Sequence, residues 1–197
     1  MAFDPDSIAT APARPPSEAR ERVLRAASDL FYRVGIHSVG VDRIVSEAGV
    51  TRATFYRHFP SKEDLVGAYL EREQAALGES ISAEALGGLS PERALEHVID
   101  GIAADITHQH TRGCPFINAA AEYPDETGPV RRAIAGQREL TRSALQSVLE
   151  AAGRNEPEER SRMLVLLRDA AFVGGYLDGP QTIDRAYRRA ARAAAGL

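Results

Sequence analysis

The sequence predicts an all-α protein of about nine helices, an N-terminal three-helix head joined to a larger helical body. Apolar residues recur at three- and four-residue steps through most of the 197 residues, and no stretch alternates long enough to make a strand. Serine, threonine, proline and glycine stand where such helices would start and stop.

The elements follow in order. Ser17 caps a helix carrying Val23, Leu24, Ala27, Leu30, Phe31 and Val34, and Gly35 ends it, since glycine adopts a left-handed backbone without a Cβ clash. Val41, Ile44, Val45 and Ala48 form a much shorter stripe that stops at Gly49. Thr51 caps a third helix with Phe55, Tyr56 and Phe59, closed by Pro60. Ser61 and Asp64 have the spacing of a capping box and open a helix from about Lys62 to about Ala85. Pro91 suits the first turn of a helix with Leu95, Val98, Ile99, Ile102 and Ile106. A short helix at "INAAAEY", a long one over Val130–Ala152, one starting near Glu158 and one after Pro180 complete the body. The boundaries expected are a disordered arm over 1–17, a head over 18–64 and a body over 65–197.

Composition narrows the class. No apolar run approaches the roughly 18 residues of a membrane span, and the proline-containing start lacks the pattern of a secretory signal. A single cysteine, Cys114, forms no internal disulfide, so a cytoplasmic location is expected. Net charge is -4, yet residues 14–62 carry nine basic and five acidic side chains. A basic head on an acidic body suits presentation of one end to a polyanion. There is no phosphate-binding loop and no nucleophile elbow, and His97, His108 and His110 with Cys114 have no metal-ligand spacing. No enzyme activity, cofactor or metal is therefore expected.

In "VDRIVSEAGVTRATFYRHF" one helix ends at Gly49 and the next begins within about three residues, which is the sequence form of a helix-turn-helix. Its second member enters a major groove by its N-terminal residues. Arg52 and Thr54 lie in that first turn. Tyr56 and His58 lie farther along, where they can meet phosphates, and Lys62 opens the following helix. Arg43 stands on the preceding helix. An adaptor whose basic head binds an acidic protein partner is the alternative that these residues leave open.

The segment "AASDLFYRVGIHSVGVDRIVSEAGVTRATFYRHFPSKEDLV" resembles the DNA-binding domain of the tetracycline-repressor (TetR) family of bacterial transcription regulators. The resemblance implies a reading helix over Thr51–Phe59, with Thr51, Arg52, Thr54, Tyr56, His58 and Lys62 at DNA-contacting positions. Gly40 departs from a threonine that often caps the second helix, and Ala53 from a frequent glycine. The resemblance also implies a homodimer on double-stranded DNA with a palindromic operator, and a body enclosing a small-molecule effector whose binding releases a repressor.

Within the body, polar side chains inside apolar helices mark candidate pocket residues: Asp105, His108, Cys114, Asn118, Glu122, Arg168, Asp169 and Tyr176. The helix holding "MLVLL" is apolar around most of its circumference, and Gly174 and Gly175 would admit another helix closely. The last two helices are accordingly the expected dimer interface.

Overall fold

The computed structural model describes residues 17–80 and 86–197. Residues 1–16 of the arm expected over 1–17 and the last turn expected of the fourth helix lie outside them. Among the described residues there are nine α-helices and no strand: α1 Glu18–Val34, α2 Val41–Ala48, α3 Arg52–His58, α4 Lys62–Ser80, α5 Pro91–Ala104, α6 Pro115–Glu122, α7 Pro129–Ala151, α8 Pro157–Asp178 and α9 Pro180–Ala195. A single π-helical turn, Asp105–Gln109, continues α5.

Local chemistry sets the head's boundaries. Ser17 Oγ accepts from the Arg20 N–H and Thr51 Oγ1 from the Thr54 N–H, so each side chain satisfies a donor that no helical carbonyl can reach. The Ser61–Asp64 box closes both ways, Ser61 N–H to Asp64 Oδ2 at 2.9 Å and Asp64 N–H to Ser61 Oγ at 3.1 Å. Gly40 leaves α2 with no side-chain cap.

Val23, Phe31, Ile44, Phe55, Phe59, Leu65 and Tyr69 are buried together, and the Phe31 and Tyr69 rings meet edge to face at 5.8 Å. Burying each such side chain contributes about 1.5–3 kcal/mol. Because Leu65, Val66 and Tyr69 belong to α4, the boundary expected at residue 64 falls inside a continuous helix that enters the body.

In the body, α8 packs chiefly against α9 and α7. Its two glycines serve contacts within the chain. A Cβ on Gly175 would lie 2.9 Å from Ile106 Cγ2, and one on Gly174 would lie 3.1 Å from Ile183 Cδ1 of α9. The close approach expected of another helix is thus made within the chain, by α9 and the π turn. Met163, Leu166, Ala170, Val173 and Leu177 remain exposed along α8 at three- and four-residue steps, joined by Leu140 of α7 and Tyr176. No helix among the described residues is long and apolar enough to cross a membrane.

Candidate nucleic-acid interface and effector cavity

The helix-turn-helix turns α3 so that Phe55 is fully buried while Thr51, Arg52, Ala53, Tyr56 and Arg57 are exposed. One face anchors the helix and the opposite face is free to read. Arg43 of α2 is also exposed. Arg52 forms a two-pronged bridge to Asp42, Nε to Oδ1 at 2.6 Å and Nη2 to Oδ2 at 2.5 Å. This links α3 to α2 across the surface and occupies the guanidinium. The Tyr56 ring leans edge-on to Phe55 at 5.1 Å, leaving the residue half exposed. Thr54 shares a hydroxyl contact with Thr51, and the His58 ring lies 3.0 Å from Ser17 Oγ.

Lys62 is differently engaged. Its ammonium donates to the Ile36 carbonyl at 2.6 Å and sits 5.9 Å above the Phe31 ring. Partial burial lowers its pKa, and the nearby Glu122 carboxylate opposes that shift. In this structure the lysine ties the start of α4 to the α1–α2 loop.

That loop is also where the body grips the head. Glu122, at the end of α6, accepts from the Ile36 N–H at 2.8 Å and the His37 N–H at 2.6 Å. Its Oε1 would lie 3.3 Å from any Cβ at position 35, where Gly35 has φ +104°. The left-handed backbone favours glycine there, and a Cβ would in addition crowd the Glu122 carboxylate. A second clasp lies beside the first: the Arg112 N–H donates to the Tyr32 hydroxyl at 2.7 Å, and its guanidinium to the Tyr32 carbonyl at 2.9 Å. Burial pushes the Tyr32 hydroxyl up to about 12, so it remains a neutral partner.

A cavity of about 110 Å³ lies between α4, α5, the π turn, α6, α7 and α8. Val98, Ile102, Phe116, Leu145 and Val148 supply its apolar wall. At one end stand Glu73, Asp105 and His110. The two ring N–H groups of His110 donate to Asp105 Oδ1 at 2.5 Å and Glu73 Oε2 at 3.0 Å. Burial pulls the imidazolium down, but the hydrogen bonds and charges of the two carboxylates outweigh it and hold the pKa up at about 9. The His110 ring also meets Tyr32 of α1 edge-on at 5.4 Å.

Asp105 and Arg168 of the candidate pocket residues line this cavity, and Cys114 lines an adjoining groove between α6 and α7 together with Arg168. The other five stand elsewhere. His108 is exposed, with Nδ1 near the Thr107 hydroxyl, and Asn118 Nδ2 donates to the Arg112 carbonyl. Glu122 holds the head. Asp169 pairs with Arg138 at 2.6 Å and Arg168 at 3.0 Å, and Tyr176 is exposed beneath the Arg112 guanidinium. Glu73 and His110 were absent from the candidates. Their signal is the half-buried ion pair itself, which joins positions 37 residues apart. No group of three or more His, Cys, Asp or Glu side chains suited to holding a metal occurs among the described residues.

A helix-turn-helix head on a helical body is the architecture of a DNA-binding regulator. Residues 23–69 match the family described as bacterial regulatory proteins, tetR family, and residues 91–160 match the tetracyclin repressor-like C-terminal domain. An uncharacterized HTH-type transcriptional regulator of Mycobacterium tuberculosis is 32% identical over 151 residues, spanning 75% of this chain and 71% of the relative. The crystal structure of SCO4454, a TetR-family transcriptional regulator from Streptomyces coelicolor, superposes with a TM-score of 0.86 at 36% identity, covering 90% of this chain and 94% of that one. The HTH-type transcriptional activator FasR of Mycolicibacterium smegmatis is 43% identical over 58 residues, 29% of this chain and 26% of that protein. The chain belongs to the TetR family of transcriptional regulators and carries its helix-turn-helix DNA-binding domain.

Two outcomes follow from this geometry. Replacing Glu122 by alanine leaves two loop N–H groups without their carboxylate and should lower unfolding free energy by roughly 1.5–3 kcal/mol in urea titrations. For His110, a folded pKa of about 9 against an ordinary 6.5 means its stabilisation is complete below pH 6.5 and lost as pH rises through 9. The stability advantage of the wild type over His110→Gln should shrink across that window, measured by the urea midpoint at a series of pH values.

Proposed function

We propose that the protein is a homodimeric transcriptional repressor that binds a palindromic operator through two copies of α3 and is released by a small-molecule effector held in the body cavity. The observation that carries this reading is the exposed polar face of α3, with Thr51, Arg52 and Tyr56 turned outward from a buried Phe55. Arg43, Thr54, His58 and Lys62 complete the DNA-facing set, Lys62 by exchanging the Ile36 carbonyl for a phosphate oxygen. Arg52 is the residue for a guanine edge or a phosphate, because its planar fork suits two-pronged acceptors.

Dimerisation is required for the two α3 helices to meet successive major grooves roughly 34–36 Å apart. The exposed stripe of α8 supports an interface through the last two helices, since an apolar row on an otherwise polar surface calls for a cover. Leu166 and Leu177 are 64% and 71% exposed, and truncation there removes large apolar contacts. α9 flanks α8, packing Ile183 against Gly174. The resemblance of residues 91–160 to the tetracyclin repressor-like domain favours repression. The activator FasR shares similarity over the head-sized segment only. The protein acts on DNA in the cytoplasm, in keeping with its family.

Fluorescence anisotropy with a palindromic duplex from the upstream region tests the function. Saturable binding tighter than to a scrambled duplex at equal salt is expected, and equal affinity for both would remove the claim of sequence reading. Arg43→Ala should weaken binding to both duplexes about equally and lower the slope of log affinity on log salt by about one. Asp42→Asn should act oppositely, raising affinity several-fold by freeing Arg52 and removing a negative charge, at a stability cost of no more than about 1 kcal/mol.

A further inference from the structure

The polar groups lining the cavity divide into two kinds. Arg168, Thr141 and His110 all direct donors to partners within the protein. Arg168 turns its guanidinium to Asp169 at 3.0 Å and to the Cys114 sulfur at 3.4 Å, stacked 4.6 Å from the Phe172 ring. The Thr141 hydroxyl donates to the Gln137 carbonyl at 3.1 Å and accepts from the Gln137 amide at 2.9 Å. His110 uses both ring nitrogens on the carboxylates. His97 and Gln109, the remaining polar side chains of the lining, are exposed.

The acceptors are only half engaged. Glu73 receives His110 on Oε2 and Asp105 receives it on Oδ1, and no donor among the described residues reaches Glu73 Oε1 or Asp105 Oδ2. One imidazolium between two carboxylates leaves a formal charge of -1 at that end. Arg168, the other charged group of the lining, gives its hydrogen bonds to Asp169 and the Cys114 sulfur and none to Glu73 or Asp105. The wall beyond is apolar and the two carboxylates are mostly shielded, so an opposite charge is favoured there more than in open water. The volume of about 110 Å³ is near the roughly 150 Å³ of an apolar cavity that accommodates benzene.

We infer that the cavity selects a small amphipathic organic cation, its ammonium group donating to Glu73 Oε1 and Asp105 Oδ2 while a single ring or short hydrocarbon lies against Ile102, Phe116, Leu145 and Val148. The inference rests on the effector-cavity reading above and names its ligand class. A neutral analogue of equal shape forfeits the ion pairing, and an anion is repelled by the two carboxylates at that end.

The test uses isothermal titration calorimetry on the full-length protein at pH 7, with benzylammonium, benzyl alcohol and benzoate as cationic, neutral and anionic probes of similar size. Benzylammonium should bind at least tenfold more tightly than benzyl alcohol, and benzoate should not bind. Glu73→Gln and Asp105→Asn should each reduce that preference at least threefold. The wild-type comparison needs no variant, so the inference stays open to refutation even where a substitution disturbs folding. It is overturned if benzyl alcohol or benzoate binds as well as benzylammonium, if no probe binds at millimolar concentration, or if both folded variants keep the full preference. Anisotropy on the same preparation separates the two readings: specific duplex binding with no cation preference sinks the ligand class alone, whereas cation preference without duplex binding sinks the DNA-reading role alone.

Discussion

The Ile36 and His37 amides belong to a tight loop between two helices, where no intrahelical carbonyl can receive them. A buried or half-buried N–H without a partner costs about 1–3 kcal/mol, so the loop needs an acceptor from outside. Glu122 supplies it from the body with both carboxylate oxygens. The same loop presents the Ile36 carbonyl to Lys62 at the start of α4. A cation and an anion from opposite sides of the joint therefore hold adjacent peptide groups, and the angle at which the head leaves the body depends on both.

The joint and the cavity are neighbours. His110 forms part of the cavity wall, rests its ring on Tyr32, and precedes Arg112, which binds Tyr32 through backbone and side chain. Asn118 holds the Arg112 carbonyl, and Glu122 lies one helical turn farther along α6. A short run of chain, residues 110–122, thus reaches both the interior of the body and the head. Coupling between sites needs a contiguous element with more than one arrangement. This segment supplies the continuity, and α4 runs alongside it with Glu73.

What the sequence revealed was chemistry that acts within a few residues. Thr51, the Ser61–Asp64 box, Pro91 and Pro180 mark helix ends because caps and proline effects are local, and the segment around Gly49 shows the helix-turn-helix through its spacing. Long-range partners were not legible. Glu122 reads as a pocket residue beside Asn118, yet its carboxylate meets a loop 86 residues away. Glu73 sits on an ordinary amphipathic helix and nothing in its neighbours announces His110. The α8 glycines signalled close packing correctly, but sequence does not say against which surface, and Ile106 and Ile183 of the same chain occupy it. The apolar stripe of α8 was visible in "MLVLL" because only a helix covered on more than one side is apolar nearly all round.

The π turn at Asp105–Gln109 has an evolutionary consequence. Such a turn amounts to one residue inserted into an α-helix, closed here by the His110 N–H to the Asp105 carbonyl at 2.8 Å. An insertion shifts the phase of every later side chain by about 100° while leaving the preceding turns in place. A relative that lost the extra residue would retain Val98 and Ile102 on the wall but swing its imidazole out of the interior. Gain or loss of one codon there would therefore change the polar group on this chain's wall without repacking its hydrocarbon lining.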